Sequence, residues 1–375
     1  MAGKGAEPPE SRSAWRANSG FRHTPLYTSG SIFSLSKGNL VWRLVCFGVI
    51  VLAGMIAGNA AGEDGPTYGV ELEGFAYPYP LHHFAFRSQA NDLRMAYMDV
   101  APLGDANGRT AVLMHGKNFC GATWASTIST LSAAGYRVVV PDQIGFCAST
   151  KPRSYQYSFQ QLAANTRALL TRLGISRVIL LGHSTGGMLA TRFALMYPEA
   201  VEQLVLVNPI GLDDWKAMGV PERSVDQWYE RELKLSADGI RQYEKTVYYA
   251  GDWKPEYEPW VNMLAGLNRG SGHELVAWNS ALIYDMIYTQ PVVYEFPLLK
   301  VPTTLMLGDK DTTAIGSDIA SPDVKARIGR YDILGKAVTR KIPQARLVEF
   351  QGLGHAPQIQ APEIFHKALL ETLGR

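Results

Sequence analysis

The sequence predicts an α/β fold in which a mostly parallel, eight-stranded sheet carries helices on both faces and receives an inserted helical segment. Three observations lead to this prediction. Short apolar runs rich in β-branched residues alternate with helical patterns from about residue 82 onward. This alternation stops between residues 210 and 298, which are aromatic and helical in pattern. The 375-residue length and 46% hydrophobic content are sufficient for a large core.

The predicted strands fall into two kinds. The first two mix polar and apolar residues, as expected for a hairpin at the edge of a sheet. The later ones, such as YRVVVPD and QLVLVNP, are continuous apolar runs typical of strands buried on both faces. The predicted strands are residues 83–86, 93–100, 110–114, 137–140, 177–181, 203–207, 303–307 and 347–350.

Helical patterns separate these strands, at residues 124–134, 158–173, 187–197 and 362–373. The second has Ser158 at the N-cap position and Gln161 at the capping-box position. A strand-helix-strand order of this kind predicts a largely parallel sheet. We therefore expect residues 62–209 and 299–375 to form the core and residues 210–298 to form a helical cap.

The first 61 residues are expected to lie outside the fold. Residues 1–39 lack periodicity and are rich in Ser, Gly, Pro and basic residues, which is typical of disorder. An uncharged apolar run over residues 44–57 follows Arg43 and precedes small residues, the layout of a signal peptide. An uncleaved membrane anchor is the alternative. In both cases we expect the rest of the chain to be exported, to the periplasm or beyond.

The charge distribution excludes a basic nucleic-acid-binding surface. The formal net charge is +2, but residues 1–61 hold six basic and two acidic side chains, which leaves 30 basic and 32 acidic side chains elsewhere. No basic stripe is present. We predict a small-molecule substrate, no nucleic-acid partner and membrane contact only through an uncleaved residue 44–57 segment, and we make no prediction about oligomeric state.

The motif GHSTG places Ser184 where a buried strand turns into a helix. Gly182 and Gly186 flank the serine, and a turn this sharp leaves room only for minimal side chains. The serine hydroxyl is then presented at the amino end of the following helix. Ser184 is the predicted nucleophile.

A serine nucleophile needs a base, and the base needs a carboxylate to hold its tautomer. His355 follows the last strand in a glycine-rich loop and is the predicted base. Asp311, in the segment LMLGDKDTTA, is the predicted carboxylate. Asp309 in the same segment, and Asp213 and Asp214 after the preceding strand, are the alternatives.

The developing oxyanion needs two preorganised N–H donors. We predict the backbone amide of Thr185, which directly follows the nucleophile, as one donor. The second predicted donor is the backbone amide of Lys117, which follows His115 and Gly116 at the end of a strand.

Together these motifs resemble those of the α/β-hydrolase superfamily, in its cap-bearing branch with an HG oxyanion motif. The resemblance covers about residues 82–373 and includes the order Ser184, Asp311, His355 along the chain. The segment PDQIGFCAS also resembles a family motif, although many members have glycine in place of Cys147. The motifs are similar to those of exported bacterial members.

This resemblance implies hydrolysis of an ester or related acyl compound without a cofactor. The aromatic cap leads us to predict a small to medium, apolar carboxylic ester. Cleavage of a carbon-carbon bond, a lactone or an amide is the alternative reaction, and a non-catalytic ligand receptor is the alternative of a different class. A serine nucleophile argues against dehalogenase and epoxide-hydrolase chemistry.

Two of the three cysteines, Cys120 and Cys147, follow neighbouring strands of the resembled fold, whereas Cys46 lies in the apolar run. A disulfide would tie the oxyanion loop to its neighbour, but two reduced, buried thiols are the interpretation we favour. The histidines at 82, 83, 183 and 273 lack the spacing of zinc ligands, so no metal site is predicted.

Overall fold

A computed structural model describes residues 65–374 of the chain, and the predicted leader and apolar run lie outside these residues. Eight strands form one sheet in the order β1-β2-β4-β3-β5-β6-β7-β8. β1 and β2 are antiparallel to their neighbours, and all other pairs are parallel, which confirms the predicted fold class. The strands are β1 (Leu81–Ser88), β2 (Asn91–Val100), β3 (Thr110–Met114), β4 (Arg137–Pro141), β5 (Val178–His183), β6 (Val201–Val207), β7 (Thr303–Gly308) and β8 (Arg346–Phe350).

Helices connect the parallel strands, and none in residues 65–374 combines the length and the apolar character that crossing a bilayer requires. The helix over the second predicted pattern begins at Ser158, whose hydroxyl accepts a hydrogen bond from the Gln161 amide. The helices are α1 (Ala125–Ala133), α2 (Phe159–Arg172), α3 (Thr185–Met196), α4 (Trp215–Met218), α5 (Val225–Glu232), α6 (Ala237–Tyr243), α7 (Glu258–Arg269), α8 (His273–Thr289), α9 (Pro322–Lys325), α10 (Tyr331–Thr339), α11 (Pro357–Gln360) and α12 (Pro362–Thr372).

The sheet is covered on both faces, and its central strands β5 and β7 are buried at every position. Val178 and Leu180 of β5 belong to the apolar cluster that includes residues of α2, α3 and α10. Ile179 and Leu181 point to the opposite face and pack with residues of α1 and α12. Continuous apolar strands therefore anchor helices on both sides, and their polar functional residues follow at the carboxyl ends.

Regular structure between β6 and β7 is entirely helical and comprises α4 to α8, which we call the helical insertion. Its aromatic residues pack mainly on each other. Trp228 of α5 stacks on Tyr284 of α8 with ring centroids 4.2 Å apart and an interplanar angle of 10°. The last turn after α6, residues 244–248, is π-helical. Turns of this type often accompany functional sites.

The segment that precedes β1 joins the helical insertion to the sheet. The Tyr68 amide donates to the Gly266 carbonyl of α7, and a β-carbon at Gly266 would lie 2.4 Å from the Tyr68 ring. Nine residues later, the Tyr77 hydroxyl donates to Asp142, which follows β4. Residues 66–77 therefore contact both parts of the molecule.

Candidate active site

Ser184 occupies a strained turn between β5 and α3. Its backbone has φ 57° and ψ −122°, a combination rare for residues other than glycine. A β-carbon at Gly182 would lie 2.3 Å from the Gly186 carbonyl oxygen, and one at Gly186 would lie 2.4 Å from that of Met114. Both glycines are therefore required by close backbone contacts, and together they hold the serine above the sheet edge.

His355 and Asp311 lie in direct contact at the same edge of the sheet. His355 Nδ1 is 2.6 Å from Asp311 Oδ2, and both side chains are buried. Since a carboxylate only accepts hydrogen bonds, Nδ1 is the donor, and in the neutral imidazole the lone pair then lies on Nε2. Nε2 is buried and has no hydrogen-bond partner among residues 65–374. This nitrogen is therefore available to accept a proton.

Two further donors hold the Asp311 carboxylate. The Asn208 side chain donates to Oδ2 at 2.8 Å, and the Thr313 amide donates to Oδ1 at 2.8 Å. Both oxygens of this carboxylate therefore accept hydrogen bonds from the surrounding protein. Sequence reasoning missed Asn208, although a polar residue directly after a buried strand was a signal that could have identified it.

The alternative carboxylates lie elsewhere. Asp309 accepts a hydrogen bond from the Gly352 amide at 2.7 Å. Asp214 caps α4 by accepting from the amides of residues 216 and 217. Asp213 is partly buried, and burial raises the pKa of its carboxyl. Within residues 65–374, Asp311 is the acid that forms an ion pair with His355.

His183, the residue before Ser184, connects the nucleophile turn to the His355 loop. Its Nε2 donates to the His355 carbonyl oxygen at 2.9 Å, and the two imidazole rings are 4.9 Å apart. Burial, together with the neighbouring His355, lowers the pKa of His183 well below its usual range. A neutral His183 therefore ties the His355 backbone to the residue next to Ser184.

The loop after β3 lies against Ser184. A β-carbon at Gly116 would lie 2.9 Å from Ser184 Cβ. His115 Nδ1 donates to the Gly116 carbonyl at 2.8 Å, and its Nε2 accepts from the Gln143 amide at 3.1 Å. Burial lowers the pKa of His115, consistent with a neutral ring. Because a trans peptide directs its C=O and N–H to opposite sides, the Lys117 amide points away from His115.

Thr185 is the first residue of α3. The first four amides of a helix lack partners within the helix and carry its positive dipole end, so the Thr185 amide is free to bind an anion. The structure thus places the Thr185 amide directly after Ser184, and the Lys117 amide directly after the glycine that packs on Ser184.

The helical insertion contributes Tyr248, which sequence reasoning did not identify. Its ring lies 4.8 Å from the His355 ring, and its hydroxyl accepts a hydrogen bond from the Asn118 side chain at 2.9 Å. Burial raises the pKa of Tyr248 well above its usual range, so the phenol is neutral. Tyr248 therefore contacts both His355 and Asn118. No local pattern marks it among the many aromatic residues of the insertion.

Cys120 and Cys147 form a disulfide, which corrects our interpretation of two reduced thiols. The loops after β3 and β4 bring their Cα atoms to 5.8 Å, within the range for bridging, which spacing along the sequence does not show. The bonded sulfurs lie near Asp142, whose oxygens accept hydrogen bonds from Tyr77 and from the amides of residues 121 and 148. This donor set does not fit a metal ion, because a disulfide offers no thiolate.

A cavity of about 680 Å³ lies between the helical insertion and the loops that carry Asn118 and Asp311. Trp228, Tyr243 and Tyr284 contribute aromatic surface to it. Its wall is also charged, which the aromatic pattern of the insertion did not indicate. The charged lining residues are Arg223, Glu230, Arg231, Glu232, Lys234 and Asp318.

Comparison with known proteins identifies the family to which this fold belongs. The family model described as alpha/beta hydrolase fold matches residues 112–362. A solved structure of a probable hydrolytic enzyme from Pseudomonas aeruginosa is 65% identical, with a TM-score of 0.81, and the match covers 82% of this chain and 98% of that one. Lipase 1 of Psychrobacter immobilis is 28% identical over 272 residues, which cover 70% of this chain and 76% of the lipase.

The fold is also that of an esterase from Exiguobacterium antarcticum, with a TM-score of 0.62 at 18% identity over 78% of this chain and all of that one. The family match spans about two thirds of the chain and includes β5, α3 and the loop that carries His355. The protein therefore belongs to the α/β-hydrolase fold family and is a hydrolase of that family.

Proposed function

We propose that the protein is a serine esterase in which Ser184 is the nucleophile, His355 the general base and Asp311 the carboxylate that orients it. The observation that carries this proposal is the state of His355. Its Nδ1 is held by Asp311 at 2.6 Å, while its buried Nε2 has no hydrogen-bond partner among residues 65–374. A histidine oriented in this way, in the loop tied to the Ser184 turn, supports the role of a general base in acyl transfer.

The reaction proceeds in two acyl-transfer steps. Ser184 Oγ attacks the ester carbonyl as its proton passes to His355 Nε2, and the amides of Lys117 and Thr185 donate to the oxyanion. His355 then returns the proton to the leaving alcohol, which leaves an acyl-enzyme. Water, deprotonated by the same Nε2, releases the acid and restores Ser184. Asp311 stays ionised and stabilises the imidazolium.

The proposed substrate is a small to medium carboxylic ester that binds under the helical insertion, which acts as a cap. The cavity volume supports a ligand of this size. The lipase from Psychrobacter immobilis supports an ester as the scissile group. No cofactor takes part in the proposed steps.

We also propose that the protein is exported, to the periplasm or beyond, with residues 44–57 acting as a signal peptide or as an inner-membrane anchor. The disulfide between Cys120 and Cys147 supports an oxidising compartment. Mass spectrometry of the mature amino terminus tests the proposal: cleavage after residues 58–61 identifies a signal peptide, and an intact terminus in a membrane fraction identifies an anchor. A full-length protein in the soluble cytoplasmic fraction contradicts both.

Replacing the nucleophile tests the esterase proposal. We expect Ser184→Ala to lower kcat on para-nitrophenyl esters by at least about 10⁴-fold, because the acyl-enzyme cannot form. The exposed Ser176→Ala is the matched control and should keep wild-type activity. A fluorophosphonate probe should label the wild type but not the Ser184→Ala variant. Full ester hydrolysis by the variant contradicts the mechanism, and hydrolysis only of matching amides or lactones contradicts the ester substrate.

A further inference from the structure

The cavity is lined by residues that neighbour the candidate active site along the chain. Asn118, which follows the proposed oxyanion donor, and Ala314, three residues after Asp311, both line it. Tyr243 also lines it and packs on Tyr248, with ring centroids 5.2 Å apart, and Tyr248 in turn packs on His355. A substrate held in this cavity therefore lies next to the loops proposed to carry out the chemistry.

A cluster of five charged side chains forms one wall of the cavity and the structure behind it. Glu232 binds both Lys117, at 3.3 Å, and Arg231, at 2.9 Å. Arg223 forms two hydrogen bonds with Asp318, at 3.1 and 2.7 Å. The cluster thus contains three cations and two carboxylates. The cluster therefore has one more cation than carboxylates. The other charged lining residues, Glu230 and Lys234, are exposed and of opposite sign, so they do not change this excess of positive charge.

Two of the three cations, Lys117 and Arg223, are largely removed from water. The side chains of Lys117 and Glu232 are only 10% and 4% exposed, and that of Arg223 is 14% exposed. A charge removed from water is costly unless a partner of opposite sign compensates it. Within residues 65–374, both carboxylates of the cluster are already engaged. An anionic ligand is therefore the partner that this wall lacks.

Arg231 is the cation that remains open to a ligand. Lys117 is fully enclosed, because its Nζ contacts Glu232 and Ser280 and lies 3.7 Å from the centre of the Tyr284 ring. Arg231 uses only Nη1 for hydrogen bonds, to Glu232 and to Tyr284. Its Nε and Nη2 donate to no residue between 65 and 374, and its side chain is 37% exposed at the cavity wall.

We propose that the substrate carries a carboxylate in addition to the scissile ester, and that this carboxylate binds the open edge of Arg231. The planar Nε and Nη2 edge of a guanidinium matches the two oxygens of a carboxylate. The aromatic surface of Trp228 and Tyr284 accommodates the apolar chain between the two groups. This inference rests on the proposed esterase function and narrows its substrate class to monoesters of dicarboxylic acids and related anionic esters.

The test compares two substrates that differ only in charge. Para-nitrophenyl monoesters of adipic and suberic acid are measured beside the same compounds with the free carboxylate capped as a methyl ester. We expect the wild-type kcat/KM for para-nitrophenol release to be about 10- to 100-fold higher for the free acids, as for hydrogen bonds to charged groups. Equal or lower kcat/KM for the acids overturns the inference.

Substitutions test whether Arg231 causes the preference for the free acids over the capped substrates. Arg231→Gln should reduce the ratio between free and capped substrates to about one, through a fall in kcat/KM for the free acids. Lys234→Gln, an exposed cation of the same wall, is the matched control and should keep the ratio. If Arg231→Gln fails to fold, Arg231→Lys keeps the charge but lacks the planar edge, and it should lose most of the preference. An unchanged ratio in the folded variant overturns the inference.

Glu232→Gln provides a test in the opposite direction. Removing this carboxylate raises the surplus charge, so the preference for the free acids should increase by about threefold or more. A disturbed cavity would lower activity on both substrates instead. Failure of the esterase proposal is distinguishable: wild-type protein would then hydrolyse neither substrate, and fluorophosphonate would not label Ser184.

Discussion

Two buried carboxyl groups, one at the carboxyl ends of the strands and one in the helical insertion, differ in their hydrogen-bond partners. At the sheet edge, Asp311 is 2% exposed and accepts hydrogen bonds from His355, Asn208 and Thr313. In the insertion, Glu244 is 1% exposed, and neither of its carboxyl oxygens has a hydrogen-bond partner among residues 65–374. Burial raises the pKa of Glu244 to about 8.

The contrast follows from the structural elements that surround each carboxyl group. The donors around Asp311 come from the residue after β6, from its own loop after β7 and from the loop after β8. Glu244 lies in the π-helical turn that carries Tyr248, and its environment favours the protonated form. Asp311 is therefore held in place by donors to both of its oxygens, whereas the charge of Glu244 depends on pH.

The largest expected effect comes from removing the charge at the sheet edge. Asp311→Asn should lower kcat by about 10³- to 10⁴-fold, because the amide would donate to Nδ1 and place the histidine proton on the wrong nitrogen. Asp309→Asn is the matched control in the same loop and should stay within about threefold of wild type. Steady-state kinetics and a thermal unfolding curve for each variant check this. Similar losses for both variants would contradict the assignment of Asp311.

Removing the charge from the insertion should affect stability instead. In the unfolded chain Glu244 loses its proton near pH 4.5, whereas in the folded chain it holds the proton until about pH 8. The unfolded state thus binds fewer protons in this window, so the free energy of unfolding should fall as the pH rises from 4.5 to about 8. The fall should be roughly 3 to 5 kcal/mol, since one pKa unit corresponds to about 1.4 kcal/mol.

Glu244→Gln should remove this dependence, because an amide is neutral throughout. Among charged residues, Glu258 adds to the rise in the pKa of Glu244 and Arg241 opposes it. Urea denaturation at about pH 5, 7 and 9 measures the slope for wild type, Glu244→Gln and the exposed control Glu371→Gln. A slope that persists in Glu244→Gln assigns the pH dependence to another group.

The same contrast explains what could be predicted from the sequence. Strands, the GHSTG turn and the loops after strands are local patterns, so the fold class and the positions of Ser184 and His355 follow from a few residues each. The disulfide and the contacts of Glu232 and Tyr248 depend on residues that are distant in sequence. The helical pattern of residues 210–298 indicated that the insertion is helical, but not that Glu232 would lie between two cations.

The smallest expected effect concerns Tyr248, where the insertion contacts the base. Tyr248→Phe keeps the ring against His355 but removes the hydroxyl that accepts from Asn118. A neutral hydrogen bond contributes about 0.5–1.5 kcal/mol, so we expect kcat/KM to fall by roughly two- to tenfold. Tyr249→Phe is the matched control, since the Tyr249 hydroxyl is buried without a hydrogen-bond partner among residues 65–374. If both variants lose equal activity, the insertion influences the site through packing alone. A loss confined to Tyr248→Phe indicates that its hydroxyl helps to hold the loop that carries Lys117 and Asn118.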